Sequence, residues 1–218
     1  MELYDGGYDT TNERGEAEGD TEVEASIDMG AGKLIVTGDA DDVMDAEFEF
    51  GDPSWEPEVS YNVTNGKGEL EVDTPSGLKT FPSGNTRYEW DIALGNTLPL
   101  DLSVNMGAGE VDLDLRGLDV RKLRVNLGAG ESTIDLSGVW SNDLTADINT
   151  GAGELTLRVP ANVGVRIVGY RDGLGSYRAD GFEQDGDALV NDAWETADVK
   201  FEIELTRGLG EVTVETVE

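Results

Sequence analysis

The residues of this sequence that most resemble a functional site belong to a repeated motif rich in glycine and acidic residues. The tetrapeptide Gly-Ala-Gly-Glu recurs with an Asn two residues before it, and its first glycines are Gly107, Gly128 and Gly151. Carboxylates beside glycine turns bind calcium in nonapeptide-repeat proteins, where successive turns share one ion. Here the motifs start 21 and 23 residues apart, so a bound ion would lack its second half-turn. The motif therefore predicts a structural repeat and no calcium site.

The residues that most catalytic and metal sites use are missing. The chain contains no His and no Cys, which removes the commonest general base, the commonest metal ligand and the thiol nucleophile. No triplet continues into a dinucleotide-binding motif, and no Gly-Lys-Ser/Thr follows a glycine-rich loop. Pairs of carboxylates for glycoside hydrolysis arise trivially among 47 acidic residues. We therefore predict no catalytic residue, no cofactor and no metal site, and a protein that is not an enzyme.

The excess of acidic over basic residues limits the classes of molecule that this chain can bind. The chain carries 47 acidic and 15 basic residues, for a net charge of −32. Because nucleic acid requires a basic face, we expect no nucleic-acid partner, and docking on anionic lipid is disfavoured for the same reason. The acidic residues are spread along the chain, and only five of the basic residues are Lys. A surface of this kind keeps proteins hydrated in molar salt, so the composition indicates a salt-adapted organism.

Strand-like alternation flanks every motif. Apolar residues take every second position, namely Leu102, Val104, Met106, Leu123, Val125, Leu127, Ala146 and Ile148 before the triplets and Val111, Leu113, Leu115, Ile134, Leu136, Leu155, Leu157 and Val159 after them. Further copies of the triplet start at Gly30 and, in degenerate form, at Gly66, Gly173 and Gly208. A period of two indicates half-buried strands. We expect the apolar side chains to point into one core, with Glu110, Glu131 and Glu154 outward.

Strand–Gly-Ala-Gly–strand units of about 22 residues fit two architectures. In a meander or propeller each triplet is a hairpin turn, whereas in a β-solenoid each unit is one coil and equivalent residues stack about 4.8 Å apart. Because the inward residues of successive units match position by position, we predict an all-β, single-domain β-solenoid (β-helix-like) with the glycines stacked at one corner. Asn105, Asn126 and Asn149 would then form a stacked amide ladder or merely tolerate a bend.

Three segments depart from the repeat. Residues 1–20 are polar and acidic, and we expect them to be disordered, with the repeat domain spanning residues 21–218. Residues 73–87 hold prolines and glycines and are typical of a long loop. Residues 160–200 are expected to form an irregular C-terminal cap that protects the last strand edge. The aromatic fillers of this cap are Tyr170, Phe182 and Trp194.

Several segments together resemble the toastrack families, the β-repeat domains found with LiaF-like cell-envelope stress-response proteins and with adhesin-like proteins. They are Trp90–Leu94, Pro99–Glu110, Leu123–Glu131, Asn149–Leu155 and Gly208–Val214. The resemblance covers roughly residues 20–218. It implies an all-β repeat fold that usually lies beside membrane anchors and serves in bacterial envelope sensing. It carries over no catalytic residue.

The leading interpretation is a non-enzymatic envelope or cell-surface binding scaffold that is membrane-anchored in its full-length form and takes part in envelope stress sensing. It would bind a membrane-associated protein or itself. The apolar runs are only a few residues long, so we expect no direct membrane insertion by this chain. Two alternatives stay open: a self-assembling structural β-solenoid, and a polysaccharide-active β-helix enzyme. Polar caps would argue against the first. The dispersed tryptophans, better explained as core or cap fillers, argue against the second.

Overall fold

The computed structural model describes residues 9–15, 19–76, 87–170 and 173–218. Within these residues fourteen strands join in one sheet, and the only helical segment is a 3-10 turn at Pro53–Trp55. The prediction of an all-β fold is confirmed. The long strands are β2 (Glu22–Ala40), β7 (Leu100–Asp114), β8 (Val120–Asp135), β9 (Leu144–Pro160) and β14 (Lys200–Val217). The short strands are β1 (Asp9–Gly15), β3 (Met44–Phe50), β4 (Glu58–Thr64), β5 (Lys67–Asp73), β6 (Tyr88–Gly95), β10 (Gly164–Val168), β11 (Tyr177–Ala179), β12 (Phe182–Asp185) and β13 (Ala188–Asn191).

The long strands, which we call rungs, run parallel in the order β2, β7, β8, β9 and β14. The central residues of their triplets pair with one another in register: Ala31, Ala108, Ala129, Ala152 and Leu209. These triplets therefore lie side by side in one column, which we call the corner, and not at hairpin tips. Residues before the triplet form the pre-corner half of a rung, and residues after it form the post-corner half.

A change of phase at the corner keeps the core on one side of every rung. In β7, Val104 and Met106 are buried before the corner, and Val111 and Leu113 are buried after it. Side chains of a strand alternate with a period of two. Val111 follows Met106 by five residues, and two residues five apart on a regular strand point to opposite faces. Because both side chains are buried in the same core, one residue between them must depart from the strand conformation. That residue is Gly109, whose φ of 137° is one that glycine adopts readily.

One sheet supplies the core of the described residues, so its pre-corner and post-corner halves must pack against each other. Trp140, which follows the post-corner half of β8, packs edge-on against Phe201 in the pre-corner half of β14, with ring centroids 4.7 Å apart. The predicted core residues are buried, namely Val111, Leu113, Leu115, Ile134, Leu136, Leu155 and Leu157. The predicted outward residues Glu110, Glu131 and Glu154 are exposed.

The spatial order of the strands differs from the chain order at both ends of the stack. At one end β5 and β6 lie outside β2 although they follow it in the chain, and β4, β3 and β1 continue the sheet there. At the other end β10 and β11 lie outside β14 although they precede it, and β13 and β12 lie beyond. The first and last rungs are therefore each hydrogen-bonded to neighbours on both sides.

The described part of residues 160–200, with strands β10 to β13, lies at the C-terminal end of the stack, where the cap was expected. Leu174 in the triplet Gly173–Gly175 bridges to Leu209, and a Cβ on Gly175 would lie 1.8 Å from the carbonyl oxygen of Gly210. The degenerate triplet at Gly173 therefore continues the corner beyond β14. The cap aromatics Tyr170, Phe182 and Trp194 are half-buried.

The structure differs from the sequence pattern in two places. The triplet that starts at Gly66 is no corner, because Asn65 and Gly66 have φ values of 55° and 82° and form the tight turn of the β4–β5 hairpin. Residues 9–15, predicted to be disordered, form β1, whose polar side chains suit a strand that covers the edge of β3. The rest of that disorder prediction for residues 1–8 and 16–18, and most of the predicted loop 73–87, fall outside the described residues.

Candidate functional site

Asparagine side chains form a hydrogen-bonded ladder on the outer side of the pre-corner halves. Asn126 on β8 donates a side-chain N–H to Oδ1 of Asn105 on β7 at 2.7 Å, and Asn149 on β9 donates to Oδ1 of Asn126 at 3.1 Å. Asn105 in turn donates to Oδ1 of Asp28 on β2 at 2.8 Å. The predicted amide ladder is confirmed, and it ends on a carboxylate that the sequence reasoning missed.

Asp28 gives the ladder its direction. The three amides all donate toward Asp28, because an ionised carboxylate can only accept hydrogen bonds. Ser26 Oγ donates to the second carboxylate oxygen of Asp28 at 2.9 Å. A sequence signal for this residue exists, since Asp28 stands two residues before Gly30 just as Asn105 stands two residues before Gly107.

An open groove of about 700 Å³ follows the ladder across β2, β7, β8 and β9. The ladder residues and the first glycine of each triplet line it. These glycines are required by the stack itself: a Cβ on Gly128 would lie 2.1 Å from the carbonyl oxygen of Gly107, and one on Gly151 would lie 2.3 Å from that of Gly128. Because no side chain can stand there, the groove has a backbone floor beside a row of amides.

Two carboxylates meet at one end of the groove. Asp28 on β2 and Asp73 on β5 are register partners, and Thr74 Oγ1 donates to the backbone carbonyl of Asp28 at 3.1 Å. Burial raises the pKa of Asp73 above its ordinary value, and the charge of Asp28 raises it further. This end of the groove therefore disfavours an anionic group.

A column of glutamates lies on the post-corner halves. Its members are Glu110, Glu131, Glu154 and Glu211, which pair in register on β7, β8, β9 and β14. Neighbouring strands are about 4.8 Å apart, so these carboxylates repel one another. Across the described ranges, no three His, Cys, Asp or Glu side chains are grouped so that they could hold a metal ion.

Arginine–carboxylate pairs brace the turn between β7 and β8. Arg116 Nε donates to Asp114 Oδ1 at 2.7 Å, and Arg121 Nε donates to Asp119 Oδ1 at 2.7 Å. The hydrogen bond from Arg116 is the largest cause that holds the pKa of Asp114 below its ordinary value, and Arg121 does the same for Asp119. These basic residues are engaged with their own turn and do not form a face for an anionic polymer.

Two exposed leucines lie next to each other at the C-terminal end of the corner. Leu174 is 71% exposed and Leu209 is 58% exposed, and the two residues form a parallel bridge. Another large exposed apolar side chain, Val139, follows β8. Adjacent exposed apolar side chains are typical of a contact surface. No helix in the described part of the chain has the length and apolar character needed to cross a membrane.

Residues 4–158 match the family described as the N-terminal domain of toast_rack, DUF2154, which is well over half of the chain. The chain belongs to the toast_rack family. The toastrack resemblance seen in the sequence is thereby confirmed. The crystal structure of a candidate cell adhesion protein from Clostridium sporogenes is similar to this toast_rack chain, with 26% sequence identity and a TM-score of 0.87. That similarity covers 97% of this chain and 100% of the Clostridium chain.

Two further solved structures align with the toast_rack chain at lower similarity. A candidate adhesin from Bacteroides fragilis covers 95% of this chain and 97% of its own, with 9% identity and a TM-score of 0.33. A candidate adhesin from Parabacteroides merdae covers 98% of both chains, with 12% identity and a TM-score of 0.27. No curated protein matches the chain.

Proposed function

We propose that this toast_rack domain is a non-enzymatic binding scaffold of the cell surface or envelope. The observation that carries the proposal is the similarity, along nearly the full length of both chains, to the candidate cell adhesion protein of Clostridium sporogenes. The fold supports it, because rungs that share one core hold their outward residues at a fixed spacing of about 4.8 Å. Such a surface is suited to binding a partner without a conformational change.

The partner is a membrane-associated protein or a second copy of the domain, and the full-length protein holds the domain at the membrane. Leu174 and Leu209 support a contact of this kind, because the buried centre of a protein interface is more apolar than the rest of the surface. In that setting the domain takes part in envelope stress sensing, with binding at its surface as the signal.

High salt is the proposed working environment. The net charge of −32 and the glutamate column both produce repulsion that mobile ions screen. The organism that makes this chain is therefore salt-adapted, and its envelope faces concentrated salt.

End-to-end assembly into a filament is the alternative class of function. The outermost strands on the main path of the sheet are β1 and β12. Their sequences are Asp-Thr-Thr-Asn-Glu-Arg-Gly and Phe-Glu-Gln-Asp, and most of these side chains are exposed. Charged and polar residues at a sheet edge disfavour pairing with another edge, so these two edges disfavour a filament.

Beads coated with the purified chain test the proposal. They are mixed with isolated cell envelopes, or with one another, in about 1 M KCl, where surface repulsion is screened, and albumin-coated beads serve as the control. Adhesion to envelopes or aggregation of the beads supports a surface binding role. Beads that behave like the albumin control contradict it, and release of reducing sugar from polysaccharides would show an enzyme instead.

A pair of variants tests the apolar contact. The double variant Leu174→Ser/Leu209→Ser should reduce adhesion, because it removes adjacent exposed leucines. Val139→Ser removes an exposed apolar side chain elsewhere on the surface and should leave adhesion unchanged. Equal adhesion by both variants would exclude the leucine pair as the contact.

A further inference from the structure

We propose that the groove beside the asparagine ladder binds a neutral, hydroxyl-rich glycan chain. The inference rests on the proposed surface role for its setting, since it names the ligand class of that scaffold. Its physical basis is separate and lies in the groove: the free hydrogen-bonding groups of the amides, the charge at one end and the direction in which the groove runs.

The ladder keeps unused hydrogen-bonding groups. An Asn amide has two N–H donors and one oxygen with two lone pairs. Asn105 and Asn126 each use one N–H within the ladder, and among the described residues no acceptor takes the second. Asn149 donates to both Asn126 and Asp147, and its own oxygen accepts from no described donor. The groove therefore offers free N–H donors at Asn105 and Asn126 and a free oxygen acceptor at Asn149, and a hydroxyl group can pair with either kind.

The charge and the shape of the groove disfavour two other ligand classes. Asp28 and Asp73 stand at one end, and none of the described residues that line the groove is a Lys or an Arg, so this lining repels an anionic polymer. Met29 and Met106 contribute almost no side-chain surface, because they are 2% and 4% exposed. The groove is open and has no enclosed pocket in which a large apolar side chain of a peptide could be buried.

The direction of the groove excludes an added β-strand. A peptide that extends a sheet must pair with a free strand edge. This groove crosses the rungs on the face of the sheet, where the backbone groups of β7, β8 and β9 are already paired with one another. A ligand in the groove can therefore be held through the side-chain amides and by contact with the glycine floor.

The amides repeat at the rung spacing of about 4.8 Å, so they suit a linear polymer whose hydroxyls recur along its length. The described lining residues include no aromatic side chain on which a sugar ring could stack. We expect each site to bind weakly, with a Kd on the order of 1 mM, from a few hydrogen bonds. Many copies on one surface would raise the overall strength by multivalency.

The test uses the full chain labelled with ¹⁵N and titrated with cellohexaose, maltohexaose and mannohexaose. The side-chain NH₂ signals of Asn105, Asn126 and Asn149 should shift, and the backbone signal of Glu131 on the post-corner half should not. Polygalacturonate and an oligolysine peptide are the charged comparisons. No shift with the neutral sugars, shifts that appear only with a charged comparison, or sugar-induced shifts confined to other residues would overturn the assignment.

A conservative variant separates binding from folding. Thr206 on β14 is the register partner of Asn149 and occupies the ladder position, so the stack accommodates Thr there. Asn126→Thr should therefore fold while weakening sugar binding about tenfold, the loss expected from one or two hydrogen bonds. Thr133→Ala, on the post-corner half of the same strand, should bind like the wild type. Undiminished binding by folded Asn126→Thr would overturn the proposal.

The two proposals fail in different ways. If coated beads adhere to envelopes while neutral hexasaccharides leave the amide signals unmoved, the surface role stands and the groove assignment is wrong. If the sugars shift the amides and the beads do not adhere, the groove is a glycan site and the surface role is wrong.

Discussion

Gly130 and Gly109 lie so close on neighbouring rungs that a Cβ on Gly130 would stand 1.7 Å from the carbonyl oxygen of Gly109. Gly130 also has a φ of 137°, which a residue with a side chain rarely adopts. The second glycine of each triplet is therefore held in place by two independent requirements, one local and one imposed by the next rung.

Gly130→Ala should destabilise the chain by at least about 3 kcal/mol, because backbone strain and overpacking add. Gly117→Ala is the matched control: Gly117 also has a positive φ, of 81°, and a Cβ there would meet no atom within 4 Å. It should cost only about 1 kcal/mol from backbone strain. Urea unfolding at constant salt measures both values, and equal losses would show that the close approach of the rungs is unimportant.

Leu113→Ala and Ile134→Ala should each cost about 2–5 kcal/mol, because both side chains are fully buried and their removal leaves a cavity. Thr133→Ala on the outer side of the same sheet should change the free energy of unfolding by less than about 0.5 kcal/mol. Thermal or urea denaturation checks all three. Losses below 1 kcal/mol at both core positions would mean that these side chains do not share a packed core.

Stability should rise with salt. Adjacent glutamates about 4.8 Å apart repel by somewhat under 1 kcal/mol in dilute buffer, and the Debye length falls to about 3 Å at 1 M salt. The wild type should melt at a lower temperature after dialysis from molar KCl into dilute buffer. A melting temperature that does not change with salt would separate the acidic surface from salt adaptation.

Glu131→Gln isolates the contribution of the glutamate column. Glu131 lies between Glu110 and Glu154 in register, so its neutralisation should raise Tm by about 2–4 °C in dilute buffer and leave it unchanged in molar salt. Glu183→Gln on the cap strand β12, whose register partner is Val190, is the control and should have little effect in either buffer. A gain that persists in molar salt would point to a cause other than charge repulsion.

Asp73 and Asp119 should respond to pH in opposite directions. The pKa of Asp73 is raised in the folded chain, so its stabilising contribution is present below the unfolded pKa of about 4 and is lost as pH rises through the folded pKa. Asp73→Asn should therefore raise the free energy of unfolding at pH 7.

The pKa of Asp119 is lowered, so its contribution to stability is present above pH 4 and is lost on acidification. Asp119→Asn should lower stability at pH 7. Unfolding curves at pH 3 and pH 7 decide this, and changes of the same sign would contradict the pKa assignments.

The sequence by itself determined the strands, the core side chains and the corner. The burial of Val111, Leu113 and Ile134 could be predicted because a strand with one buried face has an apolar residue at every second position, and that constraint is local. The corner position of the triplets could be predicted for a related reason, since glycine is favoured where the backbone takes a positive φ or closely approaches a neighbouring backbone. The ladder position of the asparagines followed from their constant distance to each triplet.

Only the tertiary structure decided which strands are neighbours. β14 lies between β9 and β10, and β2 lies between β6 and β7, although nothing in the local sequence of these strands selects those partners. Any alternating strand presents the same backbone groups at its edge, so pairing is settled by how the whole chain buries its core. The same long-range pairing brought Asp28 beside Asn105, which is 77 residues further along the chain, and beside Asp73 on β5. The groove and its charged end exist because of that strand pairing. The spacing of residues along the chain does not determine which strands pair.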